Sequence, residues 1–128
     1  MYRIEKTIKV SCMHRLTLDY ESPCQRQHGH NYKIKVGLKG SKLNNNGMLM
    51  DFAHIKKHIN NLIDHDNLNI IMQDNPTAEN MCKFLTHEIE GLLNVSNTLS
   101  HTDTKVEYVK IWETDDSWAE YRKEEDDE

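Results

Sequence analysis

Nowhere in the 128 residues does an apolar run approach the roughly 20 needed to span a bilayer, so a membrane-crossing helix is not expected. Cysteine is scarce: Cys12, Cys24 and Cys82 are odd in number and widely spaced. That excludes a disulfide framework and suits free thiols in a reducing compartment. Repeats, Pro/Gly/Ser-rich linkers and breaks in composition are absent, so residues 1–122 read as one compact domain, long enough to bury a core unaided. A net positive charge is lacking as well: 16 Lys and Arg stand against 21 Asp and Glu. Of the net charge of −5, the segment Lys123 to Glu128, with one base and five acids, supplies −4. The near-neutral remainder excludes a broad nucleic-acid footprint, and 123–128 is expected to be a solvated, disordered acidic tail. Met1 to Lys6 alternates charged and apolar residues without the apolar core of a signal peptide, which leads to the expectation of a cytoplasmic protein.

What is present is a clear periodicity. From Tyr2 to His14 the even positions Tyr2, Ile4, Ile8, Val10 and Cys12 are mostly apolar, and Tyr32, Ile34, Val36 and Leu38 repeat that period after His30. Two strands follow, pairing as a hairpin. Gly40 to Gly47 reads as a turn into a short strand at Met48–Met50. Asp51 can cap a helix carrying Phe52, Ile55, Ile59, Leu62 and Ile63 on one face and ending near Asp64. Asn75-Pro76 offers a cap and a first-turn proline for a second helix, with Met81, Leu85, Ile89, Leu92 and Leu93 on one face, ending near Asn94. Lys105 to Glu113 is a strand with apolar residues on both faces, Val106, Tyr108 and Trp112 against Val109 and Ile111, which hints at burial by a partner subunit. Antiparallel strands with the helices grouped together indicate an α+β domain.

Cys24 to His30 places a thiol and two imidazoles within seven residues, and in an extended chain His28 and His30 point to one face. His14 has matching parity and falls near the same end of the hairpin. Three neutral imidazoles around a zinc ion leave a fourth position open, as catalytic zinc requires. Iron or copper would also accept imidazole. Against this stand hydrogen-bonded histidines with no metal, and a closed, structural zinc site with Cys24 as fourth ligand. His54, His58, His87 and His101 lack such company and read as solvated residues.

Other groups leave two readings open. A cation beside Cys24 would make its thiolate available as base or nucleophile, whereas Cys12 and Cys82 read as small buried hydrophobes. Asp64-His65 is either a general-acid pair at a helix end or a cap and turn. Glu113 can take two parallel hydrogen bonds from an amidine-like edge, or can simply be exposed. Thr77, Ala78 and Glu79 open a helix, serving a ligand or a cap. Glu79 could also be the base of a zinc hydrolase.

Taken in order, His14-Arg15-Leu16, Cys24 to Tyr32, Met50-Asp51-Phe52, Asp64 to Asn69, Pro76 to Asn80 and Trp112-Glu113-Thr114 resemble the 6-pyruvoyltetrahydropterin synthase / 6-carboxytetrahydropterin synthase family. The resemblance implies a tunnelling fold: a four-stranded antiparallel sheet with two helices on one face, trimers closing into a barrel, and two trimers stacking as a homohexamer with sites between subunits. It implies Zn²⁺ on His14, His28 and His30, a catalytic thiol at Cys24, and a proton-relay pair at Asp64 and His65. Pterin contacts are implied at Glu113, Thr77, Ala78 and Glu79. The substrate so implied is 7,8-dihydroneopterin triphosphate, whose side-chain hydroxyls the zinc would acidify. The carboxy-forming branch yields 6-carboxy-5,6,7,8-tetrahydropterin, acetaldehyde and triphosphate on the way to 7-deazaguanines such as queuosine; the pyruvoyl branch keeps the side chain. Three residues separate Cys24 from His28, the spacing of the carboxy branch. Cys12-Met13 and Ala78 depart from the family's usual residues.

Overall fold

A computed structural model describes residues 1–124. It contains β1 (Tyr2–His14), a 3-10 turn (Pro23–Gln25), β2 (His28–Gly40), α1 (Phe52–Ile63), α2 (Leu68–Ile71), α3 (Ala78–Ser100), β3 (Lys105–Thr114) and β4 (Ser117–Tyr121). The strands form one antiparallel sheet in the order β1-β2-β3-β4. Ile8, Val10, Ile34, Val36, Val109 and Ile111 on one face join Ile55, Ile59, Leu85 and Ile89 of the helices in a single core. The alternating sequence dictates this arrangement: each strand offers one apolar face, and burying a single Ile or Leu is worth about 1.5–3 kcal/mol.

The β1–β2 hairpin forms in the expected register, running from Tyr2 opposite Gly40 to His14 opposite His28. Asp51 caps α1 by accepting from the Ala53 amide. Three expectations change. No strand forms at Met48–Met50, because Asn44 turns the chain by accepting from the amides of Asn46 and Met48, and Leu49 and Met50 are buried instead. The fourth strand is β4, a five-residue segment following Asp115-Asp116. Helix α3 is capped by Thr77, whose hydroxyl accepts from the Asn80 amide, because the Asn75 side chain is engaged by Thr17. It runs past Asn94 to Ser100, where His101 at φ 56° ends it. The acidic tail placed at 123–128 lies outside the described residues from 125 onward, and Lys123 Nζ is 2.9 Å from Glu90 Oε2.

Both faces of β3 are covered for a local reason. Between Gly37 and Leu38 the β2–β3 register slips, so that Gly37 faces Tyr108 while Leu38 faces Val106. Glu107 is the extra residue of this bulge, which turns Val106 toward the core and lays the Tyr108 ring over Gly37 on the opposite face. Among the described residues no helix is long and apolar enough to cross a membrane.

Candidate metal centre

Register alone brings three imidazoles together. His14 ends β1 opposite His28, the first residue of β2, and His30 follows two residues on, so all three project from the same face. Their ring centroids lie 4.6–5.1 Å apart with the planes near perpendicular. One nitrogen from each falls within 4.8 Å of the others.

Each ring's second nitrogen explains the orientation. His14 Nδ1 donates to the Pro76 carbonyl at 2.8 Å, and His28 Nδ1 donates to the Arg26 carbonyl at 2.7 Å. With the proton held on Nδ1, the lone pair on Nε2 is free, the arrangement metal-bound histidines adopt. The two Nε2 atoms face each other at 3.0 Å. Two acceptors at that distance repel unless a cation lies between them, and zinc–nitrogen bonds of about 2.0–2.1 Å in tetrahedral geometry imply a separation of about 3.3 Å. The donor set therefore fits a divalent metal. His14 is 1% exposed, and burial foremost holds its imidazole pKa below the usual value, with the His28 and His30 charges acting in the same direction and the Pro76 carbonyl opposing. The neutral form is the one that binds metal.

The other sequence-selected residues distribute unevenly. Glu113, at the end of β3, is near enough for its charge to act on His14 and on Tyr32. Thr77, Ala78 and Glu79 open α3 immediately after Pro76, the residue whose carbonyl holds His14. Cys24 is exposed on the 3-10 turn, tied to the end of β1 by Leu16 N donating to its carbonyl at 2.8 Å. It is not among the side chains whose donor atoms converge, which speaks against the sealed three-histidine, one-cysteine site.

Asp64 and His65 lie at the outer edge of β1. Asp64 Oδ1 accepts from the Ser11 amide at 3.0 Å, Asp64 Oδ2 is 3.6 Å from His65 Nε2, and His65 occupies the left-handed region at φ 64°. His65 lines a shallow cleft of about 270 Å³ with Ser11, Met13, Gly29 and Asn31; of the three imidazoles only His30 borders it. One chain thus brings the donor atoms of His14, His28 and His30 together, with Glu113 acting on His14 through its charge, and leaves Asp64–His65 and Cys24 outside that cluster.

Sequence reasoning missed two supports. Tyr32, taken there as a core residue, places its hydroxyl 3.2 Å from His14 Nδ1, and burial pushes its pKa far up. Asn69 and Asn75 act like short strands: Asn69 accepts from Arg15 N and donates to Arg15 O, and Asn75 does the same with Thr17, at 2.8–2.9 Å. They anchor the loop that carries Cys24. The parity of Tyr32 with His28 and His30 was a usable signal for the first; the asparagine pairings are long-range, and nothing local marks them.

Comparison with known proteins settles the family. A model described as 6-pyruvoyl tetrahydropterin synthase matches residues 3–124. The chain belongs to this family. A relative from Archaeoglobus fulgidus is 35% identical over 103 residues, covering 78% of this chain and 79% of its own. The 6-carboxy-5,6,7,8-tetrahydropterin synthase of Bacillus subtilis is 29% identical over 128 aligned residues, covering 94% of this chain and 85% of its own. Among solved structures, the 6-pyruvoyl tetrahydropterin synthase of Caenorhabditis elegans superimposes with a TM-score of 0.73 at 26% identity over 96% of both chains. The pterin synthase fold thus spans nearly the whole of this chain, including all six sequence motifs.

Proposed function

We propose that this member of the pterin synthase family converts 7,8-dihydroneopterin triphosphate to 6-carboxy-5,6,7,8-tetrahydropterin, releasing acetaldehyde and triphosphate, as a zinc-dependent lyase of 7-deazaguanine and queuosine biosynthesis. The observation that carries the reading is the convergence of His14, His28 and His30, two of them held by backbone carbonyls with Nε2 free. When bound there, zinc supplies Lewis-acid polarisation of the substrate's side-chain hydroxyls. Burial keeps His14 neutral and available as a ligand. Glu113 anchors the amidine-like edge of the pterin through paired hydrogen bonds, and Thr77, Ala78 and Glu79 support it from the start of α3. Cys24 moves protons on one face of the reacting side chain, while His65, steadied by Asp64, serves the other.

Residues 1–122 form the synthase domain in this reading. The position of Asp64–His65 on the far edge of β1 favours a pocket completed by a neighbouring subunit. β1 and β4 are the two edges of the sheet, so a ring of chains could close edge to edge into a barrel, as the homohexamer of stacked trimers requires. The proposed location is the cytoplasm.

The alternative is the pyruvoyl product, favoured by the likeness to the C. elegans structure. Three-residue spacing between Cys24 and His28, and the likeness to several 6-carboxy-5,6,7,8-tetrahydropterin synthases, favour the carboxy product. Mass analysis of the pterin formed from 7,8-dihydroneopterin triphosphate decides: carboxypterin with acetaldehyde is expected. A pyruvoyl product without acetaldehyde moves the chain to the other branch. Hydrolysis of esters or amides that survives Cys24→Ala but not Glu79→Ala would replace the lyase reading altogether.

A further inference from the structure

The face of the sheet turned away from the helices carries an unusual charge pattern. Lys33 and Lys35 flank the fully buried Ile34, Lys9 lies between Ile8 and Val10, and Lys110 lies between Val109 and Ile111, so all four point away from the core. Pairing sets them against one another: Lys9 lies directly opposite Lys33, and Lys35 directly opposite Lys110. Like charges on directly opposed strand positions destabilise a sheet. Lys9, Lys33 and Lys35 have no carboxylate directly opposite them, and Lys110 has one, Glu120 of β4, which is itself paired with Arg122. Among the described residues, the nearby acids are engaged elsewhere: Glu5 by the Tyr108 hydroxyl, Glu120 by Arg122, and Glu107 by Arg3 and Arg122.

What accompanies the lysines instead is aromatic. Trp112 and Trp118 are paired across β3 and β4. Lys33 and Lys110 Nζ lie 4.2 and 4.7 Å from the Trp112 ring centre, and Lys110 Nζ lies 3.7 Å from that of Trp118. Cation–π contact holds the ammonium groups over the rings and removes some of their side-chain freedom, but it leaves their charge unneutralised. We infer that this face binds a small polyphosphate anion, bridged by Lys9, Lys33, Lys35 and Lys110. The charge density of a polyphosphate matches four clustered ammonium groups, and lysine binds phosphate as a point charge without a fixed fork. The inference stands on this face alone and does not use the pterin reaction.

The chain contains two tryptophans, and both lie here, so intrinsic emission reports this surface. The full-length protein, kept in chelator, is titrated with inorganic triphosphate and in parallel with ATP. A saturable emission change is expected. Lys33→Gln and Lys110→Gln should each weaken it about tenfold or more, as loss of a charge-assisted contact does. Lys56→Gln on α1 should leave it unchanged, and about 0.5 M salt should suppress it. Triphosphate binding more tightly than ATP assigns the surface to the free anion, and equal binding assigns it to polyphosphate borne on a nucleotide. Absence of a saturable change with either ligand, or the same midpoint in both lysine variants as in the parent, overturns the inference.

Discussion

Replacing Gly37 by alanine tests the packing that gives β3 its two covered faces. A Cβ at Gly37 would stand 2.2, 2.6 and 2.9 Å from three ring atoms of Tyr108. Carbon atoms rest at about 3.5–4.0 Å, so the ring must retreat by about 1.3 Å or more. It has little room: Tyr108 is 5% exposed, its hydroxyl is bonded to Glu5, and the Arg122 guanidinium lies 4.7 Å from its ring centre. Overpacking of this kind costs about 1–3 kcal/mol, while exchanging glycine for alanine in a strand returns about 0.5–1 kcal/mol. The net expectation is a loss of about 1–2 kcal/mol. Urea denaturation at one fixed protein concentration measures it, with the slope unchanged. In a Tyr108→Ala background the ring is gone, and the same substitution should become neutral or stabilising. Equal effects of Gly37→Ala in both backgrounds, or no loss in the parent, would refute the close contact.

Native alkylation at pH 8 should label Cys24 alone, since burial foremost pushes the Cys12 and Cys82 thiols up to about 12; intact mass should show one adduct per native chain and three after denaturation. Asn69→Ala removes both hydrogen bonds to Arg15, and amide exchange across residues 15–27 should accelerate while the core strands stay protected. Asp103 has its carboxyl held below the usual pKa, first by the Ser41 hydroxyl and also by the Ser41 and Lys42 amides. Protons therefore favour the unfolded chain. The stability this carboxylate contributes is present above about pH 3.9 and is lost as pH falls further toward the folded value. Asp103→Asn should flatten that part of the acid slope, read as urea midpoints at pH 5.5 and 3.5.

How much of this was legible beforehand follows from the range of the interactions. Period-two alternation marked β1 and β2 because each has one buried face, and their hairpin then fixed the meeting of His14 with His28. Helix α1 was legible for the same reason, with a capping Asp51 and an apolar stripe. β4 was not: five residues with Trp118 and Ala119 carry too short a pattern, and it exists because β3 offers a free edge. The start of α3 was misplaced by two residues because Asn75, a good cap by type, is drawn away by Thr17, 58 positions earlier. The three histidines of the candidate metal centre were visible as His-Gly-His plus parity. Pro76 and Arg26, whose carbonyls fix two of the rings, act through their backbones, so side-chain identity gave no sign of them. Asp64–His65 was legible as a motif, yet its separation from the imidazoles emerges only from the path of the chain around the β1 edge.

Product formation from 7,8-dihydroneopterin triphosphate, titrated against zinc added to chelator-stripped protein, tests the central claim most directly. The account predicts no product without metal, a rise that saturates at one zinc per chain, and no rise in His28→Ala protein that remains folded. Turnover that proceeds without zinc, or is equal in parent and His28→Ala, would contradict it.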